Sequence, residues 1–183
     1  MALAHVYLAP GFEEVEALTI VDVLRRAGVD TRLIALDDRL AVSGAHDVVV
    51  QADLAFAAVH DQLADVIVLP GGPGTQALLA HEGVCARVQA HQHAGKRVAA
   101  ICAAPSVLAK AGVLQGRRAT CFPGYEDRLA EGGATLCGYN VVVDGLITTG
   151  RGPGVAGLFA LELARQLAGD AKAQETGRAM LYL

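Results

Sequence analysis

The chain has no tryptophan, and aromatic residues make up only 4% of it. Its formal net charge is −4, from 15 Lys and Arg against 19 Asp and Glu. It therefore offers neither a stacking platform nor a basic field for nucleic acid. The four cysteines, Cys85, Cys102, Cys121 and Cys137, contain no Cys-x-x-Cys spacing, which argues against a zinc ribbon or a thioredoxin-type pair. The longest nearly apolar run, Val98–Ala109, is about 12 residues, well below the ~20 that cross a bilayer. There is no Ser-rich linker, repeat or low-complexity tract. The opening MALAHVYLAPGFEEVE has no basic n-region and turns acidic by Glu13, unlike a secretory leader. The expectation is a cytoplasmic protein with no nucleic-acid or membrane partner.

What is present is core material. Hydrophobic residues are 53% of the 183, and charged residues 19%. One domain over residues 1–183 is the expectation, large enough to bury a core without disulfides or a structural metal. Cys85 and Cys137 read as small buried hydrophobes. His91 and His93 lie two apart, on different sides of a helix, and read as a solvated polar face rather than a metal site.

Strand-like and helix-like segments alternate. Strands are expected at Leu3–Leu8, Thr31–Leu36, Val66–Leu69 and Arg97–Ile101, with a hairpin over Ala41–Val50 turning at Ser43–Gly44. Short strands follow near Arg118–Thr120, Ala134–Leu136, Val141–Val143 and Leu146–Thr149, with a turn or short helix at Gly124–Ala130. Helices are expected at Val15–Ala27, Asp53–Val59, Pro105–Ala111, Pro153–Leu167 and Ala171–Arg178. One or two more occupy Thr75–Ala94, divided near Gly83. Unbroken apolar strands separated by helices imply a mostly parallel sheet covered on both faces. Ligands bind such sheets where loops leave the carboxyl ends of strands. Ala9–Glu13, Gly71–Gly74 and Cys102–Pro105 are the loops in that position.

Cys102 stands where an apolar strand passes into a helix, the geometry of a nucleophile elbow. Free amides and the dipole at the helix start stabilise a thiolate, so its pKa is expected below the usual ~8.5. Pro105 suits the first helical turn. The plain alternative is a core cysteine closing a strand. Glu16 shares the apolar side of its helix with Ile20, Val23 and Ala27, so its carboxyl is expected to be partly buried, with a raised pKa. A protonated glutamate there donates a hydrogen bond or carries a proton at neutral pH. The alternative is a first-turn carboxylate that favours the helix dipole. LPGGPG, Leu69–Gly74, lacks the Lys-Ser/Thr of a P-loop and the spacing of a dinucleotide fingerprint. It supplies unobstructed backbone N–H groups, which beside a cysteine make an oxyanion hole.

Together LAPGFEEVEA, LPGGPG, AAICAAP and TTGRGPG, in this order, resemble the DJ-1/ThiJ/PfpI superfamily, in its branch of parkinsonism-protein-like and bacterial stress proteins. The resemblance runs over essentially the whole chain. It implies a flavodoxin-like three-layer sandwich that usually forms a homodimer. It implies Cys102 as reactive cysteine, Glu16 as its partner, and the amides of Gly72 and Ala103 as oxyanion donors, with Gly71 in the same loop. Arg26 matches an arginine near the site in the family's dimer, and Gly152 and Pro153 a turn beside the pocket. Phe122 stands where the parkinsonism protein has a histidine, and His46 where some relatives have a hairpin arginine. Ala103 stands where the peptidase branch has a histidine, which argues against a Cys–His peptidase. The implied activity is a cofactor-free, metal-free glyoxalase of the hydro-lyase kind, or a protein deglycase. Its substrates would be methylglyoxal, glyoxal or glycated side chains. The competing reading is a redox-sensing or chaperone-like stress protein whose cysteine oxidises to sulfinic acid without turnover.

Overall fold

The computed structural model describes residues 1–59 and 61–183. The chain opens with strand β1 (Leu3–Leu8), whose alternate side chains enter opposite layers. Val6 and Leu8 join one apolar cluster, Tyr7 and Ala9 the other. That is the period of two expected of a strand buried on both faces. Helix α1 (Glu14–Arg26) carries glutamates in its first turn and arginines in its last, each complementing the helix dipole. Strand β2 (Asp30–Ala35) pairs parallel to β1.

The hairpin of β3 (Ala41–Ser43) and β4 (Val49–Gln51) lies outside the main sheet. Next comes β5 (Leu54–Ala55), then one 3₁₀ turn over Phe56–Val59. The helix expected at Asp53–Val59 is thus replaced. Asp53 N–H donates to the Leu33 carbonyl and Leu33 N–H to the Asp53 carboxylate, which holds the chain extended against β2.

Strand β6 (Val66–Leu69) is followed by α2 (Thr75–Ala80) and α3 (Glu82–His93). The two helices divide at the extended residue His81, two positions before Gly83, near which the division was expected. Gly83 lies inside α3, where a Cβ would sit 2.8 Å from the Phe56 ring. Then come β7 (Arg97–Ile101), α4 (Pro105–Lys110), β8 (Arg118–Ala119), α5 (Glu126–Glu131) and β9 (Thr135–Leu136). Strands β10 (Val141–Asp144) and β11 (Ile147–Gly150) complete the sheet. A 3₁₀ turn at Pro153–Val155 opens the segment expected as one helix, so α6 runs Ala156–Ala168; α7 (Asp170–Ala179) ends the fold.

The main sheet has seven strands in the order β10-β11-β7-β6-β1-β2-β5, parallel except for β10. α1 and α6 pack together on one face, and Phe159, Ile20 and Leu24 fill that layer. α2 to α5 enclose the other layer, around Ile67, Leu69, Val107 and Leu108. The result is a flavodoxin-like α/β sandwich. Among the described residues, no helix is long and apolar enough to cross a membrane.

His91 is not on a solvated face. It is fully buried, its Nδ1 2.8 Å from the Arg87 carbonyl. Burial, with help from Arg87, also pushes His5 on β1 down to about 4, and His91 reaches about 4 for the same first reason.

Candidate active site

Strands β1, β6 and β7 lie side by side and end at the same edge, so the loops after them meet. Their contacts are backbone on backbone. Gly74 N–H donates to the Gly11 carbonyl at 2.8 Å, and Glu13 N–H to the Gly71 carbonyl at 3.0 Å. Gly72 has φ +85°, and a Cβ there would stand 2.6 Å from the Glu13 nitrogen. Both facts restrict the position to glycine.

Cys102 follows β7 with φ +65°, a left-handed conformation unusual for a residue with a side chain. Its own N–H donates to Gly150 at 2.9 Å, and its carbonyl accepts from Phe122 N–H at 2.8 Å. These bonds hold the elbow from both sides. Cys102 is only 9% exposed.

Glu16 reaches the same point from α1 and is fully buried. Its Oε2 accepts the Gly71 N–H at 2.7 Å, while Oε1 makes no conventional hydrogen bond among the described residues. A Cβ on Gly71 would stand 2.6 Å from Cys102 Cβ, 3.0 Å from Glu16 Oε2 and 3.1 Å from Ala103 N. Cys102, Glu16 and Ala103 therefore converge on one glycine.

Burial pushes the Glu16 carboxyl up to about 7, against the hydrogen bond from Gly71 and the interaction with Cys102. Burial also pushes the Cys102 thiol up, to about 12, and the Glu16 charge adds to it. The amides of Gly72 and Ala103 pull the other way. The lowered thiol pKa expected from the sequence is corrected here. α4 is only six residues long, and its N-terminal field is outweighed by burial and a neighbouring carboxylate. With the Glu16 carboxyl near 7 and the Cys102 thiol near 12, the buried pair holds two protons below about pH 7 and one proton with one negative charge above it.

The remaining expected residues are dispersed. Arg26 is exposed in the last turn of α1, bonded to Asp22 at 2.9 Å. Within this chain it is not brought to the cysteine. Pro153 lines a cavity of about 250 Å³ with Phe122, Arg151 and Gly152. Phe122 links that cavity to Cys102 through its backbone bond. Cys85 and Cys137, expected to be buried, are half-exposed.

One partnership was missed in the sequence. Glu14 is buried at 7% exposure, its Oε1 accepting His46 N–H at 2.6 Å and its Oε2 lying 2.9 Å from His46 Nδ1. These bonds overcome burial and draw the Glu14 carboxyl down to about 2. A Cβ on Gly44 would stand 2.3 Å from Glu14 Oε1, so the hairpin glycine is a condition of the clasp. Glu13, Glu14 and His46 bring three possible ligand atoms within 4.8 Å of one another, but Glu14 and His46 already satisfy each other. A glutamate and a histidine 32 positions apart leave no periodic signal.

A flavodoxin-like sandwich with a strained cysteine beside a buried glutamate is the class that fold and site define. The chain belongs to the DJ-1/PfpI family, whose profile matches residues 3–166. It is 40% identical over 179 residues to protein dj-1beta of Drosophila melanogaster, covering 97% of this chain and 96% of that one. The crystal structure of that fly protein superposes with a TM-score of 0.94, covering 98% and 97% of the two chains. A deglycase of Pyrococcus abyssi is 36% identical over 146 residues, covering 80% of this chain and 87% of its own. A glutathione-independent glyoxalase of Caenorhabditis elegans is 33% identical over 160 residues, covering 87% and 85%.

The crowding at Gly71 makes a direct prediction. Gly71→Ala will force Cys102 and Glu16 apart, since Cβ atoms do not approach to 2.6 Å. Overpacking of this kind costs about 1–3 kcal/mol. The thermal midpoint will fall, and alkylation of Cys102 by iodoacetamide will change in rate. An unchanged midpoint and rate would show that the loop yields freely.

Proposed function

We propose that the chain, acting as one domain over residues 1–183, is a cysteine-dependent glyoxalase and deglycase that needs no cofactor. Its nucleophile, proton carrier and oxyanion donors would all come from the protein. The observation that supports this best is the convergence of Cys102, Glu16 and Ala103 on Gly71.

In this reading the proton of the pair moves to Glu16, whose pKa near 7 suits proton transfer at neutral pH. The charge left on sulfur is received by the amides of Gly72 and Ala103. Sulfur adds to the aldehyde carbon of methylglyoxal, forming a C–S bond, and the carbonyl π-pair becomes an alkoxide held by those amides. Glu16 protonates the oxygen, removes the proton of the former aldehyde carbon to give an enediolate, and delivers it to the neighbouring carbon while the hydroxyl proton passes to the neighbouring oxygen. This produces the thioester of a 2-hydroxy acid. Water attacks the thioester carbonyl, the C–S bond breaks, and the thiol is restored. The net reaction is one methylglyoxal and one water to one lactic acid. With an early glycation adduct, the tetrahedral carbon first expels the amine or thiol of the glycated protein as its hydroxyl becomes a carbonyl again, and the sulfur then adds to that aldehyde carbon.

The proposed protein is a cytoplasmic homodimer, in which Arg26 of one subunit would approach the site of the other and Pro153 would border the substrate. Methylglyoxal supplied without glutathione, metal or nucleotide should be consumed with one hydroxy acid formed per molecule lost. Peroxide-driven conversion of Cys102 to sulfinic acid, with no consumption of methylglyoxal by freshly reduced protein, would assign the chain to redox sensing instead. Light scattering giving a mass near 18.9 kDa would overturn the dimer.

A further inference from the structure

Helix α3 covers the sheet with a face that is half polar. Its buried residues are Val84, Arg87, Val88 and His91. The buried face of α6, by contrast, is apolar throughout. Beneath α3, β1 turns His5 and Tyr7 into the same layer, two positions apart. Both are fully buried, and neither the His5 ring nitrogens nor the Tyr7 hydroxyl has a hydrogen-bond partner among the described residues. His91 Nδ1 lies 2.8 Å from the Arg87 carbonyl, which can only accept, so Nδ1 carries the ring proton and Nε2 is left as a bare lone pair. Nε2 is buried and has no partner there either. Arg87 adds a fixed positive charge. Its guanidinium is tied to the Gln62 carbonyl, and it acts on the Tyr7 hydroxyl and on both imidazoles.

The charges around this cluster give a protonated imidazole little support. Asp30 favours a charge on His5, but Arg32, bound to Asp30 at 2.7 Å, opposes it. Lys96 opposes a charge on His91 and is bound to Asp65. Helix α3 also packs against β6, β7, α2 and α4. β6 and α2 carry no titratable side chain, β7 only Arg97 and α4 only Lys110. On α3 itself, Glu82 and His93 are exposed at the two ends and Cys85 is half-exposed. Among the described residues no carboxylate is hydrogen-bonded to either imidazole. The helix has a joint at each end, the extended residue His81 before it and Gly95, with φ +67°, after it.

We propose that α3 is an acid-released latch, a helix that lifts from the sheet below neutral pH while the other layer stays closed. Lifting α3 brings His91 into water and uncovers His5. Each imidazole then binds a proton near pH 6.5, whereas the closed layer holds each at about 4. Depressed histidines favour the closed form above pH 6.5, and that preference is lost as pH falls from 6.5 towards 4. Between pH 6.5 and 4.5 the opening equilibrium rises about 40-fold for one such histidine and on the order of 10³-fold for two. Only Val84 and Val88 among the buried residues of α3 resist with apolar contact. Glu16 belongs to α1 on the other face of the sheet, so its opposing effect on the whole fold does not enter this local step.

The test is amide hydrogen exchange of the full reduced chain at pH 6.5, 5.5 and 4.5, read by mass spectrometry, with each rate divided by the intrinsic rate at that pH. Protection then reports the opening equilibrium segment by segment. Peptides from α3 should lose protection on the order of 10³-fold between pH 6.5 and 4.5. Peptides from α6 should lose only what the whole fold loses, about 10²-fold. His91→Gln keeps a donor for the Arg87 carbonyl and removes the titration, and His5→Leu removes the other imidazole. Each should cut the loss in α3 to about 40-fold. Equal protection of α3 and α6 at pH 4.5 would show that the chain opens only as a whole, and would overturn the latch. A loss in α3 that both variants leave unchanged would assign it to other groups and overturn it too.

Discussion

In the proposed mechanism Glu16→Gln will turn over methylglyoxal 10²–10⁴-fold more slowly than the wild type, the range over which a positioned proton carrier contributes, yet it will melt at a higher temperature. The two effects share one cause. The folded Glu16 pKa is about 7 against 4.5 for an unperturbed carboxyl. A carboxylate raised in this way stabilises the fold only while it is protonated. Stability is lost as pH rises through the interval from 4.5 to 7. At 1.36 kcal/mol per unit, the loss above pH 7 is about 3 kcal/mol. Glutamine keeps an oxygen for the Gly71 N–H, removes the charge and removes the transferable proton. Cys102→Ser should leave only background turnover, since the proposed nucleophile is gone. Turnover of Glu16→Gln within threefold of wild type, or a lower midpoint at pH 8, would reduce Glu16 to a structural residue.

Lowering the pH from 6.5 to 4.5 will cost the fold about 3 kcal/mol. His5 and His91 are both fully buried, with pKa values near 4 against 6.5 when free. Depressed histidines stabilise the fold above pH 6.5. Between 6.5 and 4 the unfolded chain takes up protons that the fold refuses, and each histidine loses about 1.4 kcal/mol per pH unit. Glu16 works in the opposite direction over the same range, because its folded form gains a proton first. Two losses against one gain leave a net of about one proton, hence about 3 kcal/mol over two units. Urea unfolding at pH 6.5, 5.5 and 4.5 measures this. The ring nitrogens of His5 have no hydrogen-bond partner among the described residues, so His5→Leu should flatten the decline. In Glu16→Gln, which lacks the opposing group, the decline should be about twice as steep. A flat wild-type profile would mean that only one imidazole resists protonation in the fold, and a rise in stability on acidification that neither does.

The centre of the sheet was legible because its strands are buried almost throughout, and unbroken runs such as Val66–Leu69 have no competing reading in an alternating chain. The elbow was legible for the same reason. A buried strand that stops at Cys102 with Pro105 close behind has to turn there. Glu16 was found by its phase on α1, since a carboxyl between Ile20 and Val23 has nowhere to go but inward. What periodicity could not supply was the balance of forces on that carboxyl and the thiol, because it depends on how deeply two loops press together. Local pattern also misread Asp53–Val59, where a long-range bond to β2 decides the backbone. His91 was assigned to the wrong face because α3 has polar residues on every side and no clear apolar stripe. The Glu14–His46 clasp joins a helix start to a hairpin and belongs to the tertiary structure alone.

The backbone bonds that close the site have a kinetic consequence. Glu13 to Gly71, Gly74 to Gly11, Cys102 to Gly150 and Phe122 to Cys102 each join segments distant in the sequence. Loops of that length close late, after local helices and hairpins have formed. The bonds that close the site reach from Gly11 to Gly150, so no short fragment of the chain contains it. A refolding intermediate that has paired β1, β2 and β6 but not yet received β11 would possess every reactive side chain and no reactive geometry. Recovery of the proposed activity after dilution from denaturant should therefore report the last step of assembly, while recovery of helical signal reports an earlier one.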